Sequence, residues 1–386
     1  MKPTKILVTG ATGFIGSRLC ELLSLEHRIP YRALVRNFSR AARIARLDAE
    51  LVAGDMGDIE SLARAVEGCD VVFNLAHAED STAEKETAQL IEVCARAKVR
   101  RVVHMSSMAV HGPSPKPAVL TESTATIERW NEGYSDAKAA AEGLMMAAAR
   151  RGTLATVALR PTIVYGPYSF FVTPIVQDAR RGVVSLIDGG RGVCNAVYVD
   201  DVCDAVMAAL DRDDVVGSAF LVNGDTRLTW KDFISAFADL VEGEKQVYDH
   251  SLDEISAHWA SKRPRKRDSI TAAVRLAASP AFHAQLATIP PVGQLIRGAK
   301  ELVSRRITAE RKMMLKSRLQ GRGGGGAPEP DAPPVKMPNP GRVVREAYRS
   351  WIANDLAKAK LGWAPAHSFE LGARRTGEWL RFARFV

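Results

Sequence analysis

Residues 5–19 read KILVTGATGFIGSRL. The apolar run Ile6-Leu7-Val8 breaks at Thr9-Gly10, glycine returns at 13 and 16, and an amphipathic stretch follows. A strand that turns straight into a helix presents the helix's free N–H groups and the positive end of its dipole at the turn, which makes an anion site. Gly10 permits the sharp turn, Gly13 removes the Cβ that would face a phosphate, and Gly16 lets the helix lie close on the sheet. The spacing therefore predicts a corner that seats a pyrophosphate, and the question becomes what surrounds it.

Outward from that corner, strand-like and helix-like segments alternate. Strands are expected at 5–8, 31–35, 50–53, 71–75, 101–105 and 155–159, all short, rich in Val, Leu and Ile, and apolar on both faces, as a buried parallel sheet requires. Helical periodicity fills 14–24, 58–66 and 83–97 between them. This pattern predicts an α/β fold, a doubly wound Rossmann-type parallel sheet with a smaller C-terminal substrate lobe. Further on, helices are expected at 202–210 and 230–241, a strand at 219–222, and helical segments at 345–354 and 368–382. The expected division is a dinucleotide-binding domain over 1–165, to which later segments return, and a substrate lobe over 166–386. That lobe is interrupted by a basic insert at 262–320 and a Gly/Pro linker at 321–341.

The chain has 386 residues, 46% hydrophobic and 25% charged, which is ordinary for a globular protein with a sizeable core. Its net charge of +9 is unevenly placed: residues 262–322 hold 15 Lys or Arg against 3 Asp or Glu, and the remainder is slightly acidic. The five cysteines are scattered and never form a CxxC pair, so neither a disulfide framework nor a metal site is expected. The N-terminus enters a strand at once, without a basic-then-apolar leader, and a cytoplasmic location is expected.

The motif TGATGFIG resembles the TGxxGxxG signature of the extended short-chain dehydrogenases/reductases, the group of sugar-nucleotide epimerases, dehydratases and reductases. The resemblance covers residues 5 to about 240 and returns at 359–381, with further motifs in family order: GDMGD at 54–58, NLAH at 74–77, MSSMAVHG at 105–112, YSDAK at 134–138, RPTIVYGP at 160–167 and YVDDV at 198–202. It implies a nicotinamide dinucleotide held by Gly10, Gly13, Phe14, Ile15 and Gly16, with Asp55 and Met56 flanking the adenine and Ala76 beside the ribose and phosphates. Pro161 and Ile163 are implied as further cofactor contacts, and a homodimer is expected on the same ground. Arg36 ends the second strand, and no acid lies from Tyr31 to Arg46. A carboxylate there would bind the ribose hydroxyls of NAD, whereas an Arg pairs with a 2′-phosphate, so NADP is expected and NAD is the alternative.

Tyr134 and Lys138 are one helical turn apart and share a face. A phenol titrates near pH ~10, and a nearby ammonium favours its phenolate. The resemblance implies Tyr134 as the acid/base, Lys138 as its electrostatic partner and ribose contact, and Ser107 as the donor that orients substrate. Hydride would then pass between a substrate carbon and the nicotinamide while Tyr134 moves the proton.

Departures from the family pattern narrow the substrate. Met108-Ala109 stands where the dehydratases carry an acidic pair, which disfavours dehydration. His111 replaces a common Tyr, and Cys194-Asn195 occupies the neighbourhood where an Arg often grips a diphosphate. His111 and Asn195 are carried as candidate substrate contacts. The leading expectation is an NAD(P)-dependent epimerase or oxidoreductase acting on a hydroxyl or keto carbon of a sugar derivative, nucleotide- or lipid-linked. The alternatives are a 3β-hydroxysteroid-dehydrogenase-like oxidation of a lipid alcohol and a noncatalytic dinucleotide-binding subunit. The basic insert at 262–320, beside an uncharged run at 276–296, suggests peripheral contact with an anionic membrane at the inner face. It lacks the aromatic interleaving of a nucleic-acid site, and no nucleic acid is expected.

Overall fold

The structure is a computed structural model that describes residues 5–77, 80–112, 118–124, 127–210, 212–261 and 337–386. The first part of the chain runs β1 (Ile6–Thr9), α1 (Phe14–Leu22), β2 (Tyr31–Val35), β3 (Glu50–Ala53), α2 (Ile59–Val66), β4 (Val71–Asn74), α3 (Ala83–Arg96), β5 (Arg101–Met105), β6 (Val119–Leu120), α4 (Gly133–Arg150) and β7 (Thr156–Pro161). It continues through β8 (Ile163–Tyr165), α5 (Thr173–Arg180), β9 (Val183–Ile187), β10 (Val193–Cys194), β11 (Ala196–Tyr198), α6 (Val199–Ala208), β12 (Ala219–Val222), β13 (Leu228–Thr229), α7 (Trp230–Ala238), β14 (Gln246–His250) and α8 (Leu252–Ser261). The last described elements are α9 (Pro340–Glu346), β15 (Trp351–Ile352), α10 (Asp355–Leu361) and α11 (Phe369–Phe382).

Seven strands form one sheet in the order β3-β2-β1-β4-β5-β7-β12, and every pairing within it is parallel. The expected α/β Rossmann-type sheet is therefore the one observed. The strand order reverses at β1, which pairs Ile6 with Tyr31 on one side and with Val71 on the other. A crevice at the carboxyl ends of the strands, at such a switch point, is where ligands of open α/β sheets bind.

Each central strand is buried on both faces, and alternation divides its side chains between two cores. Ile6 and Val8 join the core that contains Leu19 of α1 and Val202 of α6. Leu7 joins the other, with Leu62 of α2, Leu90 of α3 and Met145 of α4. Full burial of one such side chain contributes ~1.5–3 kcal/mol. Arg101, also within the sheet, is buried because its guanidinium donates to the carbonyls of Ala209 (3.1 Å) and Arg212 (2.8 Å) and to Asp213 (2.6 Å).

Both aspartates of YVDDV tie elements together. Asp200 accepts a two-pronged bond from Arg18 of α1 (2.7 and 2.9 Å). Asp201 accepts from the Ala366 N–H and pairs with His367 Nδ1, both at 2.8 Å, while Trp363 Nε1 donates to its carbonyl. α6 begins three residues earlier than the 202–210 expectation, which places these acids in its first turn, where the helix dipole favours them.

The expected helix over 345–354 is corrected. α9 ends at Glu346 and Trp351–Ile352 is a strand paired with β6. Tyr348, Ser350 and Ile352 are buried while Arg349 is exposed, a period of two that belongs to extended chain.

Contacts within the chain group Met1–Leu252 with Pro338–Val386 and set Asp253–Met337 apart as a second unit. The insert at 262–320, its uncharged run at 276–296 and residues 321–336 of the 321–341 linker lie outside the described residues. Among the described residues no helix is long and apolar enough to cross a membrane.

A Cβ at Gly16 would come 2.1 Å from the Gly10 carbonyl oxygen, whereas one at Gly143 in α4 would meet nothing within 4 Å. Gly16→Ala is therefore expected to cost at least ~1–3 kcal/mol, as overpacking does. Gly143→Ala, inside a helix, should gain ~0.5–1 kcal/mol. Urea midpoints measure both, and an unshifted Gly16→Ala contradicts the close approach.

Candidate active site

The corner opens where β1 meets α1. Gly10 has φ +68°, and a Cβ there would lie 2.6 Å from the backbone of Leu75 and Ala76. Gly13 closes the turn by donating to the Gly10 carbonyl (2.9 Å) and is the N-cap of α1, with no side chain covering the helix end. The N–H groups of Phe14, Ile15 and Gly16 occupy the first turn, which has no intrahelical acceptors for them. This bare cradle fits the pyrophosphate of a dinucleotide. Gly10, Gly13, Phe14, Ile15 and Gly16 would hold it, and the backbone of Ala76 lies against Gly10.

Arg36 stands just past β2 with its side chain 77% exposed, and its guanidinium reaches Asp55 at 3.7 Å. Asp55 in turn accepts from the Gly57 N–H (2.8 Å), which shapes the loop carrying Met56. Arg36 and Asp55 thus lie together at the end of the crevice. Pro161 ends β7 beside Val222, and Ile163 is a half-buried position on β8 paired with Ala196.

Tyr134 and Lys138 both lie in the first turns of α4, as their spacing predicts. The helix start is fixed by Glu132, whose carboxylate accepts from the Ser135 N–H (2.7 Å). The preceding loop is fixed by Trp130, whose backbone N–H donates to Asp136 (2.6 Å) and whose indole donates to the Val110 carbonyl (3.0 Å). Gly112, at φ +83°, leaves the space that the Trp130 ring fills. This loop packing brings α4 against the turn that follows Ser107. The Ser107 hydroxyl accepts from the Ala109 N–H (3.1 Å) and lies near enough to the Tyr134 phenol to favour its ionised form. The three expected residues therefore gather at one place.

Their electrostatics differ from the simple expectation. Burial raises the Tyr134 phenol above its ordinary value, Ser107 pulls it down, and Glu132 and Asp80 push it up again. Lys138 donates to the Met105 carbonyl (3.0 Å), and burial lowers its ammonium to about 8 against the pull of Glu142. The phenol is thus a proton carrier at neutral pH and not a phenolate. Tyr134 is 38% exposed, and His77 packs its ring edge against it at 5.4 Å.

His111 and Asn195 are committed inward. His111 is buried and its Nε2 lies 3.2 Å from Arg160 Nη1. Asn195 is buried, donates to the Ser350 carbonyl (3.0 Å) and accepts from the Ile352 N–H (2.9 Å), which seats β15. Cys194 beside it is also buried.

Two buried polar groupings behind the site went unread in the sequence. Glu142 accepts from Ser106 and from the Arg160 guanidinium, so that burial, which would raise its carboxyl, is outweighed and the group lies below its usual range. Thr9 Oγ1 donates to Asn74 Oδ1 (2.7 Å), and Asn74 Nδ2 lies 3.0 Å from His104 Nδ1. The signal for the second was a lone histidine in the apolar run RVVHM.

A family model described as the NAD dependent epimerase/dehydratase family matches residues 6–222, a span that takes in the corner, the Ser107-Tyr134-Lys138 group and β12. The chain belongs to that family. Among characterised relatives, it is 27% identical over 251 residues to a 2-alkyl-3-oxoalkanoate reductase of Shewanella oneidensis, covering 59% of this chain and 64% of that protein. It is 31% identical over 230 residues to a 4-hydroxy-2-methyl-3-oxo-4-farnesyl-3,4-dihydroquinoline-1-oxide ketoreductase of Stigmatella aurantiaca, covering 57% of this chain and 68% of that one. The fold is similar to that of a dTDP-glucose 4,6-dehydratase of Streptomyces venezuelae solved with NAD (TM-score 0.65, 20% identity, 98% of this chain and 97% of that one). It is equally similar to that of a UDP-glucose 4-epimerase of Thermotoga maritima (TM-score 0.65, 20% identity, 98% of this chain and 99% of that one).

The burial of His104 has a consequence for acid stability. Burial, aided by Lys138, lowers its ring from 6.5 to about 3. Between those values the unfolded chain binds the proton and the folded one does not, so stability is full above pH 6.5 and falls as pH drops, by at most ~1.4 kcal/mol per pH unit. His104→Phe should flatten this acid limb in urea titrations at several pH values. An acid limb identical to that of the native chain contradicts the buried neutral ring.

Proposed function

We propose that the chain is an NADP-dependent ketoreductase whose substrate is an apolar keto compound and not a nucleotide sugar. The observation that carries this reading is the gathering of Ser107, Tyr134 and Lys138 next to Met108 and Ala109. Met108 packs on the small apolar cluster of Leu120, Leu221, Tyr348 and Ile352, so the two positions after Ser107 offer no carboxyl to eliminate water. A reduced nicotinamide, when bound, supplies the hydride. Ser107 and Tyr134 bind and polarise the ketone oxygen, and Tyr134 gives it a proton. A phenol held above its ordinary value suits that donation better than it suits proton removal from an alcohol.

The names of the two relatives support a keto group on an alkyl- or farnesyl-bearing molecule. The sugar-linked alternative is less well supported, because Asn195 spends its amide on the backbone of β15. For the cofactor, the exposed Arg36 favours the 2′-phosphate of NADP, with Asp55 its one close acidic partner among the described residues.

The assay is NADPH oxidation with a long-chain 3-oxo acid, with a UDP-sugar run in parallel. The 3-oxo acid should be reduced. Tyr134→Phe should lower kcat by about a hundredfold or more with NADPH affinity unchanged. Conversion of the sugar without net loss of NADPH, or full activity in Tyr134→Phe, contradicts the reading. Arg36→Ala should raise the KM for NADPH about tenfold and leave that for NADH nearly unchanged, as loss of a charge-assisted phosphate contact would; equal effects on both cofactors contradict the assignment of Arg36.

A further inference from the structure

A cavity lined by none of the residues assigned above to the cofactor or to the proposed reaction lies among the loop after β8, α5, β9, α7 and α9. All of these belong to the unit that groups Met1–Leu252 with Pro338–Val386. Its volume is about 150 Å³. A cavity of ~150 Å³ with apolar walls takes up a benzene-sized group. Most of this wall is apolar: Phe170, Phe171, Ile175, Trp230 and Ile234 line it, and Phe170 is exposed. The Ser169 hydroxyl fixes the loop that carries the two phenylalanines, donating to the Val164 carbonyl and accepting from the Phe171 N–H, both at 3.2 Å.

Charged groups also reach this wall, and their pairing leaves one cation over. Arg342 is fully engaged: Nε donates to Glu346 Oε1 (2.6 Å), Nη1 to the Ser185 hydroxyl (3.1 Å) and Nη2 to the Ser185 carbonyl (2.6 Å). Asp178 accepts from Arg181. Arg345 has only a 3.5 Å approach to the Glu346 oxygen that Arg342 already holds, and its buried Nε has no partner among the described residues. Its place is nonetheless fixed. The Trp230 indole donates to the Arg345 carbonyl (3.2 Å), and the next carbonyl, of Glu346, lies where a Cβ on Gly192 would come within 1.7 Å of it. The guanidinium carbon stands 5.3 Å from the Phe171 ring centre and 5.5 Å from that of Trp230. Ring faces attract a cation without neutralising it. Burial lowers the Arg345 guanidinium below its ordinary value despite Glu346, so an anion beside it would relieve an unmet charge. The side chain is still 36% exposed, and a ligand in the cavity can reach it.

We propose that this cavity binds an amphipathic monocarboxylate, its carboxylate on Arg345 and its hydrocarbon against Phe171, Ile175 and Ile234. A carboxylate takes two parallel N–H groups from one guanidinium, and its single charge matches the single charge left over. A diphosphate brings two or more negative charges against one, and it would meet the Glu346 carboxylate as well. A neutral lipid leaves Arg345 unanswered. The volume accepts about six carbon-sized atoms, so a longer chain leaves past the exposed Phe170. The proposal is one of binding alone and does not need the ketoreductase reading. Two acids share this chemistry: a carboxylate-bearing keto substrate of that reading, and a separate fatty acid that is not reduced.

Calorimetry on the full chain tests it with octanoate and 1-octanol, which share a hydrocarbon and differ in charge. The native chain should bind one octanoate, at least about tenfold more tightly than octanol, as a charge-assisted bond requires. Arg345→Gln should weaken octanoate to the level of octanol and leave octanol unchanged. Ile175→Trp, which fills the cavity and keeps the charge, should weaken both. Equal binding of the two probes by the native chain, or octanoate affinity unchanged in either variant, overturns the site. Displacement of octanoate by equimolar UDP, with the dinucleotide corner saturated by NADP, overturns it too. Should Arg345→Gln fail to fold, the native preference and Ile175→Trp decide. These measurements need no turnover, so a chain that reduces no ketone contradicts the ketoreductase reading and leaves this site to its own test. Kinetics with NADPH and a 3-oxo acid then separate the two sources. Octanoate that competes with the 3-oxo acid assigns the cavity to the substrate's own carboxylate, and octanoate that binds without competing assigns it to a separate acid; both support the carboxylate site.

Discussion

The structure depends on how closely α1 can lie on the end of β1. Gly16 has no side chain to hold the helix off the Gly10 carbonyl, and Gly10 has none to collide with the backbone at Leu75 and Ala76. That double approach brings the N-terminus of α1 to the switch point of the sheet, with its N–H groups uncovered. A diphosphate is the ligand such a corner suits, because it can accept several N–H groups at once and sits at the positive end of the helix dipole. The bidentate Arg18–Asp200 bond then fixes α1 to α6, so the same helix that forms the corner also carries the link to the later part of the chain.

Polar groups buried in the sheet transmit this geometry toward the proposed catalytic residues. Thr9 is the last residue of β1, immediately before Gly10, and its hydroxyl holds Asn74, which in turn holds His104. On β5, His104 is followed by Met105, whose carbonyl accepts from Lys138, and two residues later by Ser107. β5 and the turn after it thus carry the buried histidine, the anchor of the lysine and the hydroxyl beside Tyr134. On the α4 side Glu142 accepts from Ser106 while paired with Arg160, and a buried ion pair of this kind adds little net stability.

Much of this was legible because the sequence signals were local. The glycine spacing, the apolar strands and the four-residue interval of Tyr134 and Lys138 each depend on neighbours within one or two turns, and each is found where its pattern places it. What could not be read was set by distant partners. Asn195 looked available as a substrate contact until β15, over 150 residues away, was found to occupy it. The sign of the Tyr134 shift depends on burial and on Asp80 and Glu132, while the lysine one turn away is engaged by Met105. Residues 345–354 failed for another reason: their burial alternates with a period of two, and the partner strand that makes this meaningful is the two-residue β6.

The account stands on one geometric claim, that the corner and the phenol belong to a single site bridged by one dinucleotide. A crystal structure of the full chain soaked with NADP tests it directly. The account predicts the pyrophosphate within hydrogen-bonding distance of the first-turn N–H groups of α1, the 2′-phosphate beside Arg36, and the nicotinamide facing the Tyr134 hydroxyl. Density that leaves the corner empty, or that places the nicotinamide away from Tyr134, would contradict it.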